Sequence, residues 1–121
     1  MILLDTSAVI WIARRHPRTR ALLRAHRRLY LSPAVLLELQ FLQEAGRIRV
    51  DRSMQSVIDD DRWTLDEPPS AAWFLEAIGV SWTRDPFDRL LVAHAQLRGW
   101  RLATGDAVLI DQLGPTRCVP L

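Results

Sequence analysis

"RDPFDRLLVAHAQLRGWRLATGDAVLIDQL", residues 84–113, reads as helix, strand, helix, and each joint is marked by its own chemistry. Asp85 is an N-cap and Pro86 suits the first helical position. Asp88 completes the pattern of a capping box and places negative charge at the positive end of the helix dipole. The apolar run that follows closes at Gly99. "WRLAT" is then a short strand, and Asp106 stands where a second helix, "DAVLIDQL", begins before Gly114 stops it. Each acid is accounted for as a cap. Each also puts a carboxylate at a helix mouth, where it could take part in chemistry.

Outward from this stretch the alternation continues. "MILL" at residues 1–4 is a buried strand ending at Asp5, "TSAVIWIARR" a helix, and Pro17 opens another that runs to about Arg27. "LYLS" is a strand, and Ser32 and Pro33 form a cap and first turn ahead of "AVLLELQFLQEA", which Gly46 closes. "RIRV" is a strand or an extended connector, "SMQSVIDD" a helix and "WTLD" a strand. Pro68 and Pro69 lead into the helix "SAAWFLEAI", and "RCVPL" is the last strand. The pattern predicts an α/β fold with a mostly parallel central sheet flanked by helices on both faces. The functional groove of such a fold lies beyond the carboxyl ends of its strands.

A chain of 121 residues, 49% hydrophobic and 25% charged, is expected to form one domain with a core of its own. The single cysteine, Cys118, excludes an intramolecular disulfide and fits a reducing compartment. No uncharged stretch approaches the ~20 residues of a membrane span, so a cytoplasmic protein without membrane contact is expected. All sixteen basic residues are arginine, which removes every mechanism that needs a lysine. Seven of them, with two histidines, crowd "RRHPRTRALLRAHRR" at residues 14–28. That run is either a solvated face or a local positive field for phosphate or an acidic partner. Arg20, Arg24 and Arg27 share one helical face within it.

Four acids stand apart. Asp5 directly follows the first strand, and Asp106 follows "WRLAT" after Thr104 and Gly105, so both belong at the carboxyl edge of the sheet. Glu38 has only apolar helical neighbours, Ala34, Val35, Phe41 and Leu42, and so points from the core stripe. A carboxylate there must meet a cation, a metal or a hydrogen-bond network; a buried pair with an arginine is the structural alternative. With Asp88, these acids lie on four separate segments and suggest a site for Mg²⁺ or Mn²⁺, which take oxygen ligands and keep several waters. His16, His26 and His94 have no metal-ligand spacing; His94 reads as packing, and "DDD" at 59–61 as an exposed helix end. Receiver domains and haloacid-dehalogenase-type phosphatases also place an Asp after a strand, but both need a lysine. The latter also need an Asp where this chain has Ser7.

"LLDTSAVIW", Glu38 in "SPAVLLELQF", "RDPFDRLLVAHA" and "LATGDAVLI" together resemble a PIN domain, in particular the VapC-type ribonuclease toxins of bacterial toxin–antitoxin pairs. The resemblance runs over essentially the whole chain and implies one PIN-like nuclease domain over residues 1–121. It implies that Asp5, Glu38, Asp88 and Asp106 are the catalytic acids that hold Mg²⁺ or Mn²⁺, with Thr6 and Thr104 as hydroxyls that hold those carboxylates or a metal-bound water. Within "DPFD" the ligand is assigned to Asp88, and Asp85 to a cap or outer layer. The implied activity is metal-dependent endoribonucleolytic hydrolysis of RNA, with a VapB-like antitoxin covering the acidic groove. Arg20, Arg24 and Arg27 then become candidate contacts to RNA or to a protein partner. Trp63, Trp73 and Trp82, read as exposed aromatics, point to a homodimer, with core packing as the alternative for each. The rival reading is an inactive PIN-like scaffold that binds RNA or assembles with proteins; loss of one acid would favour it, and all four are present. Residues 47–84 match no motif.

Overall fold

The computed structural model describes residues 1–25 and 28–121. Five strands form one all-parallel sheet: β1 (Ile2–Leu4), β2 (Leu29–Leu31), β3 (Thr64–Leu65), β4 (Arg101–Thr104) and β5 (Cys118–Pro120), in the order β3-β2-β1-β4-β5. Central β1 sets Leu3 opposite Tyr30 of β2 on one side and Leu102 of β4 on the other. Its three residues are all buried, as a strand covered on both faces requires.

The helices are α1 (Thr6–Ala13), α2 (Arg20–Arg24), α3 (Pro33–Glu44), α4 (Met54–Ile58), α5 (Ser70–Ile78), α6 (Pro86–Arg98) and α7 (Ala107–Leu113). The chain steps outward from β1 to β3, then returns past β1 to β4 on its far side. Because parallel crossovers are right-handed, that reversal puts the helices before it on one face of the sheet and those after it on the other. Accordingly α1 and α6 both pack against β1 and β4. The reversal also opens a crevice between the carboxyl ends of β1 and β4, the place where such sheets receive ligands.

Local chemistry sets the helix starts as expected. Ser32 caps α3 with Pro33 at its first turn, Asp85 caps α6 with Pro86 behind it, and Gly99 ends α6 in the left-handed region at φ 69°. Of the two readings of "RIRV" the connector holds: residues 47–50 are irregular and form no strand, with Ile48 packed on the core between exposed Arg47 and Arg49. Two expectations are corrected. The helix expected from Pro17 begins as a 3₁₀ turn, Pro17–Thr19, before the five residues of α2, and its expected end at Arg27 lies outside the described residues.

The second correction concerns the tryptophans. Trp63 and Trp73 are core residues, 5% and 7% exposed, and only Trp82 stays at the surface. Each buried indole has a backbone carbonyl for its N–H, Val57 O at 2.7 Å and Leu90 O at 2.8 Å, which lets a large ring with a polar edge be buried whole.

His94 is packing, as its sequence context suggests, but packing of a polar kind. The ring on α6 is fully buried, with Nδ1 2.9 Å from Ser32 Oγ and Nε2 2.7 Å from Asp66 Oδ2. Arg98 holds the same Asp66 at 2.9 Å. The network joins α6 to the cap of α3 and to the end of β3. Of the "DDD" run, Asp59 and Asp61 are exposed. Asp60 is bound by Arg52 at 3.0 Å and Arg62 at 2.7 Å, and the Arg62 hydrogen bond above all holds its carboxyl well below the usual range.

Candidate active site

The crevice at the sheet reversal collects carboxylates from four segments. Asp5 leaves the end of β1, and its Oδ1 accepts from Ala8 N and from Ser7 Oγ, both at 2.7 Å, capping α1. Asp106 follows β4 by two residues, and its Oδ1 accepts from Val108 N at 2.8 Å and Leu109 N at 3.1 Å, capping α7. The cap bonds of both residues fall on one oxygen, Oδ1. Asp85 caps α6 by accepting from Phe87 N at 2.8 Å and Asp88 N at 3.0 Å, so the side chain of Asp88 is presented by the first helical turn. Glu38 stands half-buried in the middle of α3 and accepts from Thr6 Oγ1, which ties that helix to the end of β1. Asp5, Glu38, Asp88 and Asp106 line one cleft of about 460 Å³ together with Thr6, Ser7, Trp11, Arg47 and Gly105. Capping and cleft-lining are therefore compatible roles for the same side chains.

Three of these carboxyls, Asp5, Glu38 and Asp88, are raised, each first by burial. Burial pushes the Asp5 carboxyl above its ordinary value against the bonds from Thr104, Ala8 and Ser7, with Asp106 adding repulsion. Burial also raises Glu38, opposed by the Thr6 hydroxyl and reinforced by Asp85 and Asp5. Asp88 is pushed up to about 7, first by burial and then by the charges of Asp85, Glu38, Asp106 and Asp5. Among the described residues no three acid, histidine or cysteine side chains sit close enough to enclose an ion as they stand. The donor set is nonetheless of the kind a hard divalent cation takes: several carboxylates lining one cleft. An apolar cavity of the same volume between α1, α3 and α4 contains a single carboxylate, Asp51, and no comparable cluster.

The raised carboxyl of Asp88 has a consequence for stability. A group that binds its proton more tightly when folded contributes stability below its unfolded pKa of about 3.9 and loses it as pH rises through the folded value. Without metal, the wild-type protein is therefore expected to lose stability relative to Asp88→Asn as pH climbs from about 5 to about 8. The buried His94 is shifted the other way, down, so its own contribution is lost as pH falls through about 6.5. It is present in both proteins and cancels. Melting curves in EDTA across this range check the sign; parallel profiles would refute the coupling.

Two supporting residues escape a reading by motif. Ser7 accepts from Gly105 N at 3.3 Å while donating to Asp5, so its hydroxyl bridges the ends of β1 and β4. The signal in the sequence is a hydroxyl two residues after a strand-ending Asp. Gly105 is required by close approach: a Cβ there would lie 2.4 Å from the Trp11 ring. Gly105→Ala is expected to force that ring aside and cost about 1–3 kcal/mol, readable from a urea midpoint. Thr104 supports the same edge, its hydroxyl accepting from Asp106 N at 3.0 Å.

The basic segment adjoins the cleft through Trp11. That ring stacks on His16 at 4.8 Å and lies 5.6 Å from the guanidinium carbon of Arg18. Arg20 and Arg24 are exposed on α2. No described arginine of residues 14–28 joins an ion pair among the described residues. Arg27 lies outside those residues.

The PIN domain family profile matches residues 2–113. This chain belongs to the PIN domain family. No curated protein sequence matches it. Among solved structures, this PIN domain is similar to a toxin–antitoxin complex from Klebsiella pneumoniae, with 15% identity, a TM-score of 0.70, and coverage of 98% of this chain and 96% of the other. VapBC2 from Rickettsia felis, solved bound to a DNA fragment from its promoter, is similar at 19% identity and a TM-score of 0.66, covering 99% of this chain and 98% of the other. FitAcB from Neisseria gonorrhoeae is 26% identical with a TM-score of 0.51, covering 88% of each chain. PIN domains are generally nucleases and generally use divalent metal ions. No helix among the described residues is long and apolar enough to cross a membrane.

Proposed function

We propose that this PIN domain is a metal-dependent endoribonuclease, using Mg²⁺ or Mn²⁺, and the toxin of a VapBC-type toxin–antitoxin pair. The observation that carries the reading is the meeting of Asp5, Glu38, Asp88 and Asp106, from four separate segments, in one cleft at the sheet reversal. These four side chains would hold the ion, which when bound supplies Lewis-acid stabilisation of phosphoryl oxygens and a water of lowered pKa. The chain's own task is orientation. Cap bonds aim Asp5 and Asp106, and the Thr6 hydroxyl aims Glu38, so little reorganisation is needed when charge develops on the substrate. A phosphodiester approaches so acidic a cleft only with help from positive charge, for which Arg20 and Arg24, exposed on α2, are the candidates in this reading.

The partners in this reading are an RNA substrate, a VapB-like antitoxin and a second copy of the chain. The antitoxin is supported by the toxin–antitoxin complexes among the similar structures. The second copy would lie across the outer face of α5, where Phe74, Leu75 and Ile78 are exposed. The deciding experiment incubates the purified, partner-free protein with a panel of structured and unstructured RNAs, in Mg²⁺ and in EDTA. Cleavage in Mg²⁺ and none in EDTA is the expected result; no cleavage of any RNA in either would favour the scaffold reading. Replacing Arg20 and Arg24 with Gln should flatten the log–log salt dependence of RNA affinity by about one unit per lost phosphate contact, with turnover of bound RNA nearly unchanged. An unchanged slope would assign this face to a protein partner.

A further inference from the structure

Four acidic residues line the cleft, and one arginine, Arg47, lines it with them. Arg47 forms no ion pair among the described residues, despite its setting. Its position is anchored by the way α3 ends. Gly46, left-handed at φ 71°, donates its N–H to Gln43 O at 3.0 Å, and Arg47 donates its own N–H to Leu42 O at 2.9 Å. These paired bonds are a Schellman stop, which fixes the direction in which the chain leaves the helix. Leu42 lies one turn beyond Glu38 on the same face, and both line the cleft. The helix that presents Glu38 therefore also returns Arg47 to the cleft. Ile48 follows it there and packs on the core, holding the segment down. Arg49 behaves otherwise: it lines the neighbouring apolar cavity and pairs with Asp51 at 3.4 Å.

An exposed arginine beside carboxylates gains little from pairing with them. Its planar fork of donors fits the two non-bridging oxygens of a phosphodiester, which the acids repel. We infer that Arg47 is a substrate-binding residue of this cleft, its guanidinium donating to the non-bridging oxygens of the phosphodiester to be cleaved. The inference rests on the nuclease reading above and adds a contact that the four acids do not supply. Arg47 brings positive charge to the reacting group from the protein itself, so it acts with or without a bound ion.

The test uses a single-stranded RNA that the wild-type protein cleaves at a mapped linkage. Affinity is read by fluorescence anisotropy in EDTA, where no turnover intrudes, and kcat and KM are read in Mg²⁺. Arg47→Ala should lower kcat/KM by about 10–100-fold, the range of charge-assisted hydrogen bonds. Arg47→Lys should recover part of the loss, because it keeps the charge without the fork. Arg49→Ala should stay within about twofold of wild type. A methylphosphonate at the cleaved linkage should weaken wild-type binding in EDTA and leave that of Arg47→Ala nearly unchanged, the coupling that a direct contact requires. Equal methylphosphonate penalties in both proteins, or wild-type binding and cleavage by Arg47→Ala, would overturn the assignment. A wild-type protein that cleaves no RNA would remove the nuclease reading itself, a result distinct from either.

Discussion

Asp88→Asn is expected to lower RNA cleavage by at least about 10²–10³-fold, the loss typical of removing one preorganised electrostatic partner of a transition state. The protein should still fold. Asp88 sits in the first turn of α6, where its backbone N–H is held by Asp85 and needs nothing from its own side chain. Its carboxylate faces Asp85, Glu38, Asp106 and Asp5, and burial with their repulsion pushes its pKa up to about 7. A neutral amide of the same shape relieves that repulsion, so the metal-free variant should melt no earlier than wild type at neutral pH. Asp85→Asn is the control, because Asn caps a helix as well as Asp does, and most activity should survive. Initial rates in Mg²⁺ and melting midpoints in EDTA read both effects. An inactive Asp85→Asn beside an active Asp88→Asn would reverse the assignment within "DPFD".

His94→Ala should destabilise the fold by about 2–5 kcal/mol, a loss comparable to deleting a large core side chain. The ring has no exposed surface and packs at 5.4 Å from Trp73 and 6.1 Å from Trp100 between ring centroids. Removing it empties that space and also strands polar partners. Ser32 Oγ loses one of its contacts, and Asp66 keeps only Arg98. Unpaired polar groups in a core cost more than their bonds were worth. Burial already holds the imidazole below its ordinary pKa, so at neutral pH the loss is one of packing and hydrogen bonds rather than of charge. Urea unfolding at neutral pH measures it, and a change smaller than about 0.5 kcal/mol would mean that the network is not structural.

Much of this protein is legible one segment at a time. Asp5, Ser32, Asp85 and Asp106 announce helix starts because a cap is a bond between a side chain and an amide two or three residues on. Gly99 announces a stop because left-handed backbone is a local demand. Glu38 announces itself as an anomaly, a carboxylate on an apolar stripe, and the motifs around these acids carry the family resemblance. None of this needs the fold. The strand order does, and so does the fate of "RIRV": it has the composition of a strand, but β3 already pairs along β2 through Tyr30 and Thr64, and residues 47–50 pack as a connector. Sequence leaves exposure and core packing both open for Trp63 and Trp73, and the tertiary structure decides for the core, since a tryptophan's place depends on which carbonyl another element offers its N–H. Arg47 lies in a stretch without periodicity, and only the stop of α3 beside the sheet reversal brings it to the cleft. The charge state of Asp88 belongs wholly to the tertiary structure. Each acid alone is an ordinary surface carboxyl, and burial and mutual repulsion act on it only when the fold brings four distant segments to one cleft.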